Sequence, residues 1–147
     1  MNIKDINIKL LNEKAIVPTY GTEYSAGADL YACVGESIII KSGETAFIST
    51  GISLEIPTGF VGLVYARSSL GCKNGIAPSN KVGVIDSDYR GELMVALHNH
   101  SKEDYIVKPN DRIAQIVFTP YLKGNFNVIN ELNNTERGTG GFGSTNE

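Results

Sequence analysis

A period of two limits this fold more than any other feature. ISLEI, residues 52–56, alternates apolar and polar side chains strictly, and similar short runs recur along the chain with turn residues between them. Hardly any window sustains the 3.6-residue apolar repeat of a helix. Side chains on a strand point alternately to opposite faces, so such runs read as half-buried strands. The pattern predicts strands over residues 3–11, 37–40, 45–49, 52–56, 60–66, 82–85, 92–99, 105–108, 112–119 and 126–129. PTYGTEYSAG, KSGE, IPTG, KPND and YLKGN supply the turns between them. One short helical piece is expected over 67–74, RSSLGCKN. A chain of 147 residues suits a single core. The expectation is therefore an all-β sandwich or jelly roll over 1–129. From residue 130 the sequence becomes polar and glycine-rich, so 130–147 reads as a C-terminal arm ordered only by what it binds.

The formal net charge is −3, which excludes a whole-molecule field that gathers nucleic acid. No apolar run is long enough to cross a bilayer, and the N-terminal segment has no signal-peptide character, so the chain is expected in the cytoplasm, or in a nucleus, and not to be secreted. Cys33 and Cys72 read as free packing thiols of a reducing compartment. An anionic ligand then needs a locally built site, and the arginines are the residues to build it. Only four are present, Arg67, Arg90, Arg112 and Arg137, against nine lysines. The guanidinium fork fits phosphate or carboxylate bidentately, whereas lysine serves well as a solvated charge. Structural ion pairing is the alternative for each of them.

Five segments could carry chemistry. In YARSSLGCKNGI (65–76), Arg67, Ser68 and Ser69 offer a fork and two hydroxyls to phosphate, unless Ser68 or Ser69 merely caps a turn. In SNKVGVIDSDYRGEL (79–93), Asp86 or Asp88 could serve as a general base beside Tyr89, or the run could be a well-made turn. SAGADLYA (25–32) sets Asp29 in apolar surroundings, where a carboxylate must be paired, hydrogen-bonded or near a metal. RIAQIVF (112–118) interrupts an apolar strand with Arg112 and Gln115, and buried pairing could account for both. In RGTGGFGST (137–145) the glycines let backbone N–H groups approach an anion, Ser144 and Thr145 add donors, Arg137 a fork and Phe142 a ring for a base. No lysine-bearing strand-to-helix loop is present there, so the run is no P-loop; it suits an arm closing over a nucleoside triphosphate. His98 and His100 share a strand face, but no third zinc ligand is spaced for them.

Taken in order, AGADLYA, ARSSLG, GVIDSDYRGEL, RIAQIVF and RGTGGFGST resemble the five motifs of the trimeric dUTP diphosphatases over about residues 18–145. The resemblance implies a jelly-roll homotrimer whose active sites are shared between subunits, the arm coming from a neighbour. It implies hydrolysis of dUTP to dUMP and pyrophosphate, which limits uracil incorporation into DNA and supplies dUMP. Asp86 would activate water for in-line attack on the α-phosphorus, and Tyr89 would lie beneath the deoxyribose and reject a 2′-hydroxyl. Asn80, the strand Gly83, Val84 and Ile85, and Met94 would form the uracil pocket. Arg67, Ser68, Ser69 and Gln115 would hold phosphates, and Arg112 would pair with an acid of the third motif. Asp29 would meet Mg²⁺ through water. Arg137, Phe142, Gly143, Ser144 and Thr145 would close over the triphosphate and the base. Ser69 stands where many members carry glycine. Two other readings are a dCTP deaminase-type enzyme, which would need a glutamate beside the base, and a non-catalytic jelly-roll module that binds partners.

Overall fold

The computed structural model describes residues 4–143. Twelve strands carry the fold: β1 (Asn7–Leu10), β2 (Thr19–Tyr20), β3 (Ala28–Tyr31), β4 (Ile38–Ile40), β5 (Thr45–Ser49), β6 (Ile52–Glu55), β7 (Phe60–Tyr65), β8 (Ile76–Pro78), β9 (Gly83–Ile85), β10 (Met94–Asn99), β11 (Tyr105–Val107) and β12 (Arg112–Pro120). They form four antiparallel sheets, ordered β1-β6, β5-β10-β8, β11-β4 and β2-β3-β12-β7-β9. Strand neighbours distant in sequence dominate, as in a jelly roll. No helix among the described residues is long and apolar enough to cross a membrane.

The core follows from the alternation. Leu30, Ile40, Ile48, Ile52, Ile76, Leu97, Val107 and Ile116 are wholly or almost wholly buried and belong to one cluster. Each such side chain contributes about 2 kcal/mol on removal from water. Within the core sits one polar residue no apolar pattern announces, Asn99, also wholly buried. Its Nδ2 donates to the Ile40 and Glu103 carbonyls at 2.8 and 2.7 Å, and its Oδ1 accepts from Ser101 N and Oγ at 2.9 and 2.7 Å. Every polar atom of the carboxamide is thus used, which makes its burial tolerable.

Most strands lie where the alternation predicts them. Three were missed: β2, β3 and β8. β3 contains Asp29, which breaks the apolar pattern, and β8 ends on Pro78, a residue that sits in sheets only at edges and ends. The strand expected over 126–129 does not form: Phe126 and Val128 are almost wholly exposed and pair with no strand among the described residues. Alternation is there, but a ladder needs a partner. The helical piece expected near Arg67 is a single wide π turn, Ser69–Lys73, anchored by buried Leu70. Ser68 makes no side-chain capping bond to it, so capping does not explain that hydroxyl.

Candidate functional site

The largest sheet brings together residues from three of the sequence motifs. In its register Gln115 on β12 lies opposite Asp29 on β3 and, on the other side, opposite Tyr65 on β7. Directly opposed residues share a face, so Asp29, Gln115 and Tyr65 stand in a row, with Arg67 just past the end of β7. Arg67 Nε meets Asp29 Oδ1 at 2.8 Å and Arg112 Nη1 meets Asp29 Oδ2 at 3.4 Å. Arg67 Nη1 also donates to the Arg112 carbonyl at 3.4 Å. The Asp29 side chain is 15% exposed, so the two guanidiniums answer the cost of its burial. Arg112 therefore pairs with the acid of the first motif, not with one of the third as expected. Packing across β3 and β12 decides this, and linear spacing cannot reveal it.

The Gln115 amide nitrogen donates to the Ala66 carbonyl at 2.9 Å, tying β12 to the arginine-serine segment. A Cβ at Gly27 would stand 2.2 Å from Gln115 Oε1, so glycine there is what lets the amide lie across the first motif. Ser68 and Ser69 follow Arg67 and are exposed. One carboxylate between two arginines leaves a net positive charge beside these hydroxyls, an arrangement suited to phosphate.

A second cluster surrounds a cleft of about 180 Å³ lined by Val84, Ile85, Asp86, Tyr89, Glu92, Leu93 and Met94. β9 pairs with β7 through Leu63↔Val84 and Val64↔Gly83, which fixes the cleft's strand wall. The β8–β9 connection turns tightly: Lys81 has φ 64°, its N–H reaches the Pro78 carbonyl at 3.0 Å, and Val82 N–H reaches the Asn80 carbonyl at 2.8 Å before buried Gly83. Asp86 follows β9 and is exposed, and Tyr89 N–H closes a turn on the Asp86 carbonyl at 3.2 Å. Asp88 is exposed and is not among the residues that line the cleft.

Sequence reasoning gave no role to Glu92, which lines the same cleft. Its Oε1 accepts from Gly51 N at 2.9 Å and from the Ser49 hydroxyl. Thr50 Oγ1 donates to the Leu93 carbonyl at 2.5 Å and Ser53 Oγ to the Arg90 carbonyl at 2.6 Å. The third-motif loop is thus stapled to the β5–β6 connection. The partners lie some forty residues upstream, so no local pattern signals them.

The arm stands apart. Arg137 Nε donates to the Gly140 carbonyl at 3.0 Å, and Gly138 N–H to Thr135 O and Oγ1, both at 3.1 Å. Phe142 is fully exposed, with φ 50°, and Gly143 follows with φ 89°. Ser144 and Thr145 lie outside the described residues. Among the described residues no hydrogen bond or ion pair joins the Asp29–Arg67 cluster, the Asp86 cleft and the arm. The structure thus joins side chains of the first, second and fourth motifs directly, sets the strand of the third beside β7 in the same sheet, and leaves the described part of the fifth apart.

No group of three or more His, Cys, Asp or Glu that could hold a metal occurs among the described residues. His98 and His100 meet edge to face with ring centroids 4.4 Å apart, and His98 Nδ1 bonds Thr45 Oγ1 at 2.9 Å. Desolvation first, then Lys81 and His98, push His100 below the usual imidazole value. Both oxygens of Asp29 accept from arginine, which fits contact with Mg²⁺ through water and not direct ligation, since Mg²⁺ keeps several waters and takes phosphate oxygens.

Comparison with known proteins identifies the family. A family model for dUTPase matches residues 13–146. The chain is 44% identical over 140 residues to the deoxyuridine 5'-triphosphate nucleotidohydrolase of Syntrophotalea carbinolica, with 95% of each chain covered. It is 45% identical over 148 residues to that of Neisseria meningitidis serogroup B, covering 99% of this chain and 98% of the relative. Among solved structures, the dUTPase of Staphylococcus bacteriophage 80alpha with dUPNHPP is similar at a TM-score of 0.87 and 27% identity, covering 97% of this chain and 99% of that one. With the jelly roll, the ordered motifs and these matches over nearly its whole length, the chain belongs to the dUTPase family.

Proposed function

We propose that the protein hydrolyses dUTP to dUMP and pyrophosphate by in-line attack of water on the α-phosphorus, limiting uracil incorporation into DNA and supplying dUMP. The observation that carries this reading is the cleft in which Asp86, Tyr89, the β9 edge and Met94 meet. Asp86 takes the proton of the attacking water. Tyr89 lies under the deoxyribose. The Asn80 hairpin with Gly83, Val84 and Ile85 reads the uracil edge by backbone groups, which cannot turn to suit cytosine. A buried group left unpaired by the wrong base costs about 1–3 kcal/mol.

Arg67, Ser68, Ser69 and Gln115 hold phosphates as donors fixed before charge develops on the leaving group. The carboxylate of Asp29 aims Arg67 and would hold Mg²⁺ through one of its waters. When bound with the triphosphate, that ion supplies neutralisation of phosphate charge. Arg137 grips the outer phosphates, Phe142 covers the base, and Gly143 with Ser144 and Thr145 donates to the γ-phosphate as the arm shuts out bulk water.

The active site is shared in a homotrimer. Three observations support this reading: among the described residues no hydrogen bond or ion pair joins the two clusters and the arm, the segment expected as a strand at 126–129 pairs with none of them, and Leu122, Phe126, Val128 and Leu132 stand bare in and around it. Free Cys33 and Cys72 suit the reducing cytoplasm. The test is a panel of dUTP, dTTP, dCTP and UTP with and without Mg²⁺, read by pyrophosphate release. Release from dUTP alone is expected, with Asp86→Asn slower by at least ~100-fold at unchanged thermal stability. Conversion of dCTP to dUTP without pyrophosphate would move the assignment to a deaminase.

A further inference from the structure

The position of the Tyr89 ring is set by the backbone beneath it. Tyr89 Oη donates to the Glu92 carbonyl at 2.9 Å, which folds the phenol back across the intervening residues. A Cβ added at Gly91 would stand 2.4 Å from Oη, 2.6 Å from Cζ and 2.9 Å from Cε2 of that ring. Carbon and oxygen atoms do not approach so closely, so something would have to move.

The backbone is poorly placed to give way. On either side of Gly91 it is held by Ser53 Oγ on the Arg90 carbonyl at 2.6 Å and by Leu93 N–H on the Ile52 carbonyl at 2.8 Å, and the adjoining Glu92 carboxylate is tied through Oε1 to Gly51 N at 2.9 Å. The ring is 46% exposed and has solvent to swing into. A methyl group at position 91 would be relieved by driving the ring outward and breaking its bond to Glu92.

We propose that Gly91 is a positioning residue that determines sugar specificity: its missing side chain lets Tyr89 lie low enough to fill the space of a 2′-hydroxyl. This rests on the dUTP reading of the cleft and names a specificity element in it. Gly91 touches no substrate and acts only through the ring.

The experiment compares kcat/KM for dUTP and UTP in the wild type, Gly91→Ala, Tyr89→Ala and the double variant. Failure of the wild type to hydrolyse dUTP in preference to UTP would remove the functional reading itself. Given that preference, Gly91→Ala is expected to lower the dUTP/UTP ratio by roughly tenfold or more. In the Tyr89→Ala background the same change should leave the ratio as it is, because two residues acting through one contact are not additive. An unaltered ratio in Gly91→Ala, or a further fall in the double variant, overturns the proposal. Should Gly91→Ala not fold, recovery of folding in the double variant supports the clash with Tyr89, and its absence overturns it.

Discussion

At the scale of the residue, polar groups taken from water are answered by partners that the closed fold supplies. Asp29 is held between Arg67 and Arg112, and Asn99 uses its whole carboxamide to join Ile40, Ser101 and Glu103. Asn99→Ala would take a partner from the Ile40 and Glu103 carbonyls and from the Ser101 N–H and hydroxyl. We expect it to lower stability by about 3 kcal/mol, read as a fall in the denaturation midpoint with the slope unchanged. A loss below about 0.5 kcal/mol would show that water replaces the amide. Asp29 was legible as a carboxylate that needed a partner, because apolar neighbours make a lone charge costly. That the partners are Arg67 and Arg112 was not legible, since the β3–β12 register creates the contact. Asn99 was invisible for the converse reason: within HNH it looks like a surface residue, and only the closed fold shows it buried.

At the scale of the element, alternation located the long strands well, because each must bury one face whatever its neighbours are. It failed on Ile76–Pro78, too short and proline-ended to show a period, and on 126–129, where the pattern is present and the partner is not. The arm is the element whose removal separates folding from function. Its hydrogen bonds run within itself, so nothing in the core leans on it. A chain ending at Asn134 is expected to keep the circular dichroism spectrum and melting temperature of the full chain and to lose turnover of dUTP. Retained turnover would remove the arm from the site. The five motifs were legible as a set, while the Glu92 staple to Ser49 and Gly51 was not, since its partners sit in the β5–β6 connection, which carries no motif of its own.

At the scale of the whole molecule, one chain carries the parts of a site without closing them on one another. Phe126 and Val128 should then lie against another copy, and Phe126→Asp with Val128→Asp is expected to lower the mass seen by light scattering from that of three chains toward one. Turnover should fall in step and recover at higher protein concentration, as mass action requires. A wild type that scatters as one chain at working concentration would refute the shared site. The bare ribbon from Leu122 to Leu132 has a consequence for the life of the protein in a cell. On the proposed homotrimer, a newly made chain displays an uncovered, extended stretch of the kind proteases cut, and association with its fellows would hide it. Abundance would therefore have a threshold: below a certain rate of synthesis orphan chains are cleared before they meet, and above it they survive together.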